Sequence, residues 1–579
     1  MPMTLEGKTF TVPGVYGTTE VVNLGSTAVP IFNTLLIVAG AKKGVPYNAT
    51  GKKGYQVILP YASLNTVKEY YGVSDISRAF EYAKKGGAGA VYCINAASLT
   101  NALATILDNS GAPAASFDVY PRDNFYGAAG NDISLTMSTD TSLLTLTVIP
   151  PKLTKFLTAN ASTSSPFISL GDVEGLAAGM AVKVYSNAIT SAPDSVTIVS
   201  IDTVNNLVEL SINPTAAFAT SAYARLFVED TDKQATKTFS ATATVPDVIN
   251  WINGGNILTA DRKTYTGIKP TTLAKVYLQN ITSATKGTSP AATETGGGDF
   301  DLLAGLAPQL FEEMTNYTKQ RVRLINVVSS SAAVQAVYKT LAVTERAAGK
   351  SLQLILGCAR GDILLAADNV AHPKNRAKVL NSDDCILAGM GIDGKAAYLS
   401  FAPFTAGLMS ANSVKRNLTN DAVDAQSVEK TFGEFNKETV TAGYLANGVL
   451  LIGTGKNGYY IIQGINTYQN QATIWNTDDK KSYLIQQRQI VDFVYEGYKN
   501  EMEQGVGADG YGPSVASVQG GRILKKFKDD GFLEDSDAGP AWKIMAAYRE
   551  GNAVITEPQI NPVDSTDFVG FKLKILVDA

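Results

Sequence analysis

A single histidine stands among 579 residues, so chemistry built on several imidazoles is excluded. That histidine, His372, precedes Pro373 in a polar stretch with Lys374 and Arg376. A lone imidazole can act as general base or metal ligand, but with no second histidine a metal site would need carboxylates. The favoured expectation is a surface loop residue. Cysteine is equally scarce. Cys93, Cys358 and Cys385 lie far apart, each in an apolar strand-like run. Zinc ligation wants close pairs and a disulfide scaffold wants many more, so reduced core thiols are expected.

Basic charge is also missing in excess. Forty-nine Lys and Arg against 53 Asp and Glu leave a net charge of −4. Non-specific nucleic-acid binding needs clustered cations that displace phosphate counterions, so no nucleic-acid partner is expected. No run approaches the roughly 20 apolar residues that span a bilayer, and Met1–Gly7 lacks the basic start and apolar stretch of a signal peptide. The expectation is a protein folded in the cytosol without a membrane partner. The paired acids Asp383-Asp384, Asp478-Asp479 and Asp529-Asp530 read as solvated turns, because nothing nearby is seen to split their pKa values. No nucleophile elbow, Cys/His pairing or zinc spacing occurs. No catalytic residue, no cofactor and no metal is assigned.

Two glycine-rich runs test that reading. Gly389-Met390-Gly391-Ile392-Asp393-Gly394 matches a dinucleotide fingerprint after an apolar strand, but the fingerprint needs a helix at its third glycine and an acidic residue about twenty positions on. Here Lys395–Pro403 reads as strand or turn. Gly453-Thr454-Gly455-Lys456-Asn457-Gly458 resembles a phosphate loop but lacks the Ser or Thr after lysine; Asn457-Gly458 before an apolar run is a hairpin signal.

What is abundant is glycine, 51 of it, with 45% apolar residues, which suits several packed cores rich in turns. Residues 1–30 read as an extended N-terminal arm. The first part of an α/β core spans 31–111: a buried-type strand at Leu35–Gly40, a helix capped by Asp75 with Ile76, Ala79, Phe80 and Ala83 on one face, a stop at Gly86-Gly87, and a strand at Ala90–Ile94. Alternating segments such as Ser134–Met137, Thr145–Val148, Ala181–Tyr185 and Thr197–Ile201 mark a β-rich insertion over 112–298, with a separate module about 152–230. It ends in a low-complexity linker from Thr282 to Gly298. The α/β core continues over 299–400, with strands at Leu324–Val328, Leu352–Leu356 and Cys385–Gly389 and a helical stripe of Val334, Val337, Tyr338 and Leu341 ending at Gly349. Residues 401–560 form a C-terminal domain, with a helix carrying Leu484, Val491, Val494 and Tyr498 and another carrying Ile523, Leu524 and Phe527 opposite Arg522, Lys525 and Lys526. Residues 561–579 form a C-terminal arm whose Phe571, Leu573 and Ile575 alternate with Lys572 and Lys574. No partner strand adjoins it in sequence, so it must pair at a distance or on another molecule. The fold class expected is α+β or α/β multidomain: a mixed α/β core built from both ends of the chain, with inserted β-rich domains and extended terminal arms.

Several short stretches carry a resemblance. Thr405-Ala406-Gly407-Leu408-Met409-Ser410-Ala411 followed by Leu418-Thr419, and Gln463-Gly464-Ile465-Asn466-Thr467-Tyr468, resemble segments of contractile tail sheath proteins of myovirus-type phages. Val12-Pro13-Gly14-Val15-Tyr16 is similar to their N-terminal "PGVY", and Gly127-Ala128-Ala129-Gly130-Asn131-Asp132-Ile133 to their "G-x-x-GN-x-I". The matches fall in the family's order over residues 12–530, while 152–298 matches nothing placed. The resemblance implies a structural, non-enzymatic subunit that stacks as hexameric rings around a tail tube, in a virion tail assembled in the host cytoplasm and used for genome ejection. Its implied partners are neighbouring sheath subunits, the tail tube protein, and the baseplate and terminator proteins. It implies terminal arms, here Val12, Val15 and Tyr16 and Phe571, Leu573 and Ile575, that add strands to neighbours, and contraction by rigid-body rearrangement. Arg522, Lys525 and Lys526 are the candidate tube-facing residues; an ordinary solvated helix face is the alternative. Competing readings are an α/β nucleotide-binding enzyme using either glycine run, and another self-assembling shell protein.

Overall fold

The computed structural model describes residues 3–10, 34–46, 59–107, 115–188, 193–261, 273–277, 284–285, 322–393, 400–432, 443–469, 483–503 and 510–563, with interruptions of one to three residues inside these ranges. Its architecture is mixed α/β, as expected. The arm residues Val12, Val15, Tyr16, Phe571, Leu573 and Ile575, the pair Asp478-Asp479 and the 291–320 stretch lie outside the described residues.

The central sheet has seven strands: β1 (Thr34–Ala39), β2 (Leu59–Tyr61), β3 (Val91–Asn95), β4 (Val322–Val327), β5 (Gln353–Gly357), β6 (Cys385–Ala388) and β7 (Val449–Leu450), in the order β7-β6-β5-β4-β1-β3-β2. From β4 to β7 the neighbours run parallel, with Leu324 opposite Gln353, Leu354 opposite Cys385 and Leu387 opposite Val449. Parallel strands are covered on both faces and therefore read as unbroken apolar runs. Every residue of β1, β5 and β6 is buried. The three cysteines are buried free thiols, and burial pushes Cys358 and Cys385 up to about 12.

Helix α1 (Asp75–Lys85) follows the predicted stripe, with Ile76, Ala79, Phe80 and Ala83 buried. Its cap differs from expectation. Ser74 accepts the amide of Ser77 at 3.4 Å and Ser77 returns the bond at 2.9 Å, so Asp75 is the first helical residue rather than the cap. Helix α2 (Ala332–Ala347) is capped by Ser331 and ends before Gly349, whose φ of 73° suits glycine. Helix α3 (Pro373–Leu380) starts with proline at its first turn. Helix α4 (Ala402–Ala411) begins at Ala402-Pro403, where strand or turn was expected. It holds the Thr405–Ala411 stretch and is buried through Met409. Gly407 is there for contact: a Cβ on it would lie 2.1 Å from the Ala83 carbonyl oxygen of α1.

The chain divides into two compact units, one of Met1–Ile37, Glu81–Val91 and Ala307–Ala579, the other of Val38–Phe80 and Tyr92–Leu306. The second unit is β-rich. A six-stranded antiparallel sheet orders Pro151–Phe156, Arg225–Glu229, Ala181–Tyr185, Asp194–Asp202, Leu207–Leu210 and Phe167–Ser169. Its two end strands meet through a Leu157–Leu170 bridge and a Thr158 amide bonded to Ser169 oxygen at 2.9 Å. Closure removes the edges and makes a small barrel. Leu157, Ile168, Leu170, Val184, Ile198 and Leu226 fill it. Two four-stranded antiparallel sheets also lie in this unit. No helix among the described residues is long and apolar enough to cross a membrane.

Candidate functional site

In the first unit, helices α5 (Ile485–Met502) and α6 (Pro513–Asp529) pack around Phe493, which stacks on Phe532 at 5.1 Å and meets Phe527 edge-on at 5.9 Å. The crossing is close because Gly497 faces Phe527: a Cβ there would lie 2.4 Å from Phe527 Cζ. On α6 lies a hairpin of β8 (Trp542–Glu550) and β9 (Ala553–Ile560), with Trp542, Ile544, Val554 and Ile560 against the shared core. Among the described residues these two strands form a sheet of their own. A bare two-stranded hairpin is marginal in water, so its backing by α6 makes it a rigid platform with two outer edges. Such edges present rows of N–H and C=O groups to any incoming strand. The hairpin was not read from the sequence, although Gly551-Asn552 between two extended runs is the turn signal for it; Gly551 has φ of 58°.

Helix α5 was expected to be amphipathic, with one apolar face. Leu484 and Val494 are buried, but so are Gln487, Arg488, Asp492 and Glu496 on its polar side. These meet a charged cluster that overturns the reading of Asp383-Asp384 as a solvated turn. Arg346, in the last turn of α2, donates Nε to Asp384 Oδ2 at 2.8 Å and Nη1 to Asp492 Oδ1 at 2.7 Å. Arg488 Nη1 lies 2.8 Å from Asp383 Oδ2, and its Nη2 lies 3.1 Å from Asp492 Oδ1. Arg323 pairs with Glu496, which also accepts Ser351 Oγ at 2.5 Å. The side chains of Arg488 and Asp384 are each only 2% exposed.

Three guanidinium groups thus face four carboxylates in a desolvated place. Burial raises Asp384 to about 7, against the pull of Arg346 and with help from Asp383 and Asp492; Asp383 is raised as well. Burial pulls Arg346 down, but Asp492, Asp384 and Asp383 together outweigh it and hold the guanidinium charged. The carboxylates lose more hydration than the shared cations return, and the arginines gain from several acids at once. The arrangement clamps α5 to α2 and to the segment leading into β6. Among the described residues no group of His, Cys, Asp and Glu is placed to hold a metal.

A second buried pair gives the Gly127–Ile133 stretch its role. Asp132 receives Arg225 Nε at 2.8 Å on both oxygens, and both side chains are fully buried. Arg225 Nη1 also donates to Asn187 Oδ1 and to Tyr223 oxygen, each at 2.9 Å, and Asn131 donates to the same Asn187 oxygen. Burial raises Asp132 in spite of Arg225. The stretch therefore anchors the barrel strand that carries Arg225. Nothing in the sequence singled out Arg225, because its partner lies 93 residues away.

His372 is not a surface residue. It is 2% exposed, its Nδ1 accepts the Lys374 amide at 3.3 Å as the cap of α3, and its Nε2 lies 3.3 Å from the Tyr444 hydroxyl. Burial and the cations Lys374 and Lys430 lower its pKa. Gly389–Asp393 leads through bridges to Ser400 and Val428 with no helix at its third position, and Gly455 pairs with Gly458 across a two-residue turn. Neither run is built as a phosphate cradle. Arg522, Lys525 and Lys526 are exposed on α6 opposite buried Ile523, Leu524 and Phe527, and Lys525 reaches Asp529 at 2.6 Å.

No family model and no curated protein matches the sequence. Among solved structures, the chain is similar to a sheath tail protein from Desulfitobacterium hafniense, with 12% identity over 94% of this chain and 100% of that one at a TM-score of 0.49. It is also similar to a sheath tail protein from Listeria innocua, with 13% identity over 93% and 94% at a TM-score of 0.50. Whole-length agreement at such low identity is agreement of architecture, and the chain has the fold of contractile tail sheath proteins.

Proposed function

We propose that this chain is the sheath subunit of a contractile tail: a structural, non-enzymatic protein that stacks as hexameric rings around a tail tube. The observation that carries the reading is the β8–β9 ribbon, two long strands paired only with each other among the described residues and held rigid by α6. The segments holding Val12, Val15 and Tyr16 and Phe571, Leu573 and Ile575 are the strands that neighbours lay along its two edges. Main-chain bonds make that join and alternate side chains set its register. The fold and the α5 clamp support contraction as rigid-body rearrangement of intact subunits, with the extended arms as hinges. Arg522, Lys525 and Lys526 meet acidic groups on the tube, through exposed pairs worth about 0–1 kcal/mol each and weak enough to release. The subunit acts in the tail of a virion, assembles in the host cytoplasm, and joins baseplate and terminator proteins at the sheath ends during genome delivery.

Purified protein viewed by negative-stain microscopy is expected to form long tubes of uniform diameter and to bind no nucleotide. A monodisperse monomer that binds nucleotide saturably would overturn the proposal.

A further inference from the structure

Residues 364–370, Leu-Leu-Ala-Ala-Asp-Asn-Val, form an exposed apolar loop in the first unit. Leu364 is 64% exposed and Val370 86%, with Leu365 beside them. Apolar side chains this exposed usually sit on pliant chain, but here the backbone is tied down. Leu364 N bonds to Gly361 oxygen at 2.9 Å and Asn369 N to Ala366 oxygen at 3.0 Å. Asn375 donates to the oxygens of Ala367 at 2.9 Å and Asn369 at 2.8 Å, and Asn369 Oδ1 accepts the Ala371 amide at 2.9 Å. Buried Ile363 pins the base. A loop held in one shape loses little entropy on binding. Exposed Arg360 precedes it in the chain and half-buried Lys374 and exposed Lys378 follow it on α3, against one exposed acid within it, Asp368. The knob is apolar with a basic rim.

The same unit offers a surface of opposite character. Register and packing put Trp542, Ile544, Val554 and Thr556 of the ribbon toward the helices, Thr556 Oγ1 lying 2.9 Å from Tyr498 Oη. Past the bulge at Met545, the register turns Tyr548, Glu550 and Glu557 outward with Met545, together with Ile555, which pairs with Tyr548 and is buried. Met545 is 48% and Tyr548 41% exposed, and the Tyr548 hydroxyl bonds to Glu557. Two acids and Lys543 flank these apolar groups, whereas Arg549 is drawn to Tyr511 oxygen at 3.0 Å. This face is apolar with an acidic rim.

We infer that the 364–370 knob docks on the outer face of the β8–β9 ribbon of a second copy of this chain. The occupant follows from complementarity in both polarity and charge between two different surfaces of one sequence. Such a head-to-tail pairing propagates a lattice instead of closing a dimer. Strand addition uses the ribbon's edges while the knob meets exposed Met545 and Tyr548, so both joins coexist. The inference rests on the reading of the chain as a sheath polymer.

The test mixes a Val370→Cys chain with a Tyr548→Cys chain, lets tubes form, and oxidises them. Both positions are exposed and the native thiols are buried, so they do not compete. Disulfide-linked dimers are expected from the mixture and not from either chain alone. In parallel, a Leu364→Asp/Val370→Asp variant is expected to melt as the wild type does and to need about tenfold more protein to form tubes, the equivalent of losing one well-buried aliphatic contact. Tubes that form without cross-links, or at wild-type concentration in the aspartate variant, overturn the knob contact and leave the sheath reading standing. If the wild-type chain forms no tubes, both fall together.

Discussion

Replacing Arg488 with alanine is expected to destabilise the first unit by about 3–5 kcal/mol, the usual result of stripping one partner from a buried ion pair. Asp383 and Asp492 would lose a guanidinium at 2.8 and 3.1 Å, and Asp492 would be left as a buried charge without it. Denaturant unfolding followed through the α5 core measures it, and a loss below about 1 kcal/mol would show that the pair is solvated. The cluster also gives stability a slope with pH. The folded carboxyl of Asp384 binds its proton up to about 7 while the unfolded one releases it near the ordinary value of 3.8. Between these values the folded chain holds the extra proton, so this contribution is present at acid pH and is lost as pH rises through about 7. The melting temperature is expected to fall from pH about 5.5 to about 8, and Asp384→Asn is expected to flatten that fall. An unchanged slope in the asparagine variant would remove Asp384 as its source.

Removing residues 568–579 is expected to leave a folded monomer with the wild-type melting temperature that forms no tubes at all. The effect is all-or-none because a lattice needs every join. On the proposed reading, deleting the strand takes away the row of main-chain bonds to the neighbour, while among the described residues the ribbon packs on the α5–α6 core. Replacing Phe571, Leu573 and Ile575 together by aspartate is expected to act in the same way, since alternate side chains fix the register. Sedimentation and negative stain report both. Tubes from the truncated chain would show that the C-terminal segment is not a linking strand.

How far these features were legible depends on whether they are local. The strand at Thr34–Ala39, the stripe on α1 and the helix over 332–347 are written in apolar period and stop signals, and they appear within a residue or two of where the pattern puts them. Polar burial was not legible. Asp383-Asp384 looks like any acidic turn until α5 and α2 bring Arg488 and Arg346 to it from 104 and 38 positions away. Asp132 is similar, since only the fold supplies Arg225. His372 is a different case. Its place just before Pro373 at the start of a polar helix is a capping signal that the surface reading passed over. The ribbon was missed because its inward side chains, Trp542, Ile544 and Val554, are spaced by a bulge between Ile544 and Ala546 that breaks strict alternation.

The account stands on subunits completing their sheets from one another, and amide hydrogen exchange along Trp542–Ile560 tests this most directly. In free subunits the amides on the outer edges of β8 and β9 are expected to exchange quickly, while those between the two strands are protected. In assembled tubes the outer-edge amides are expected to slow by orders of magnitude, because an incoming strand now bonds them. Outer-edge amides that exchange equally fast in tubes and in free subunits would contradict the claim.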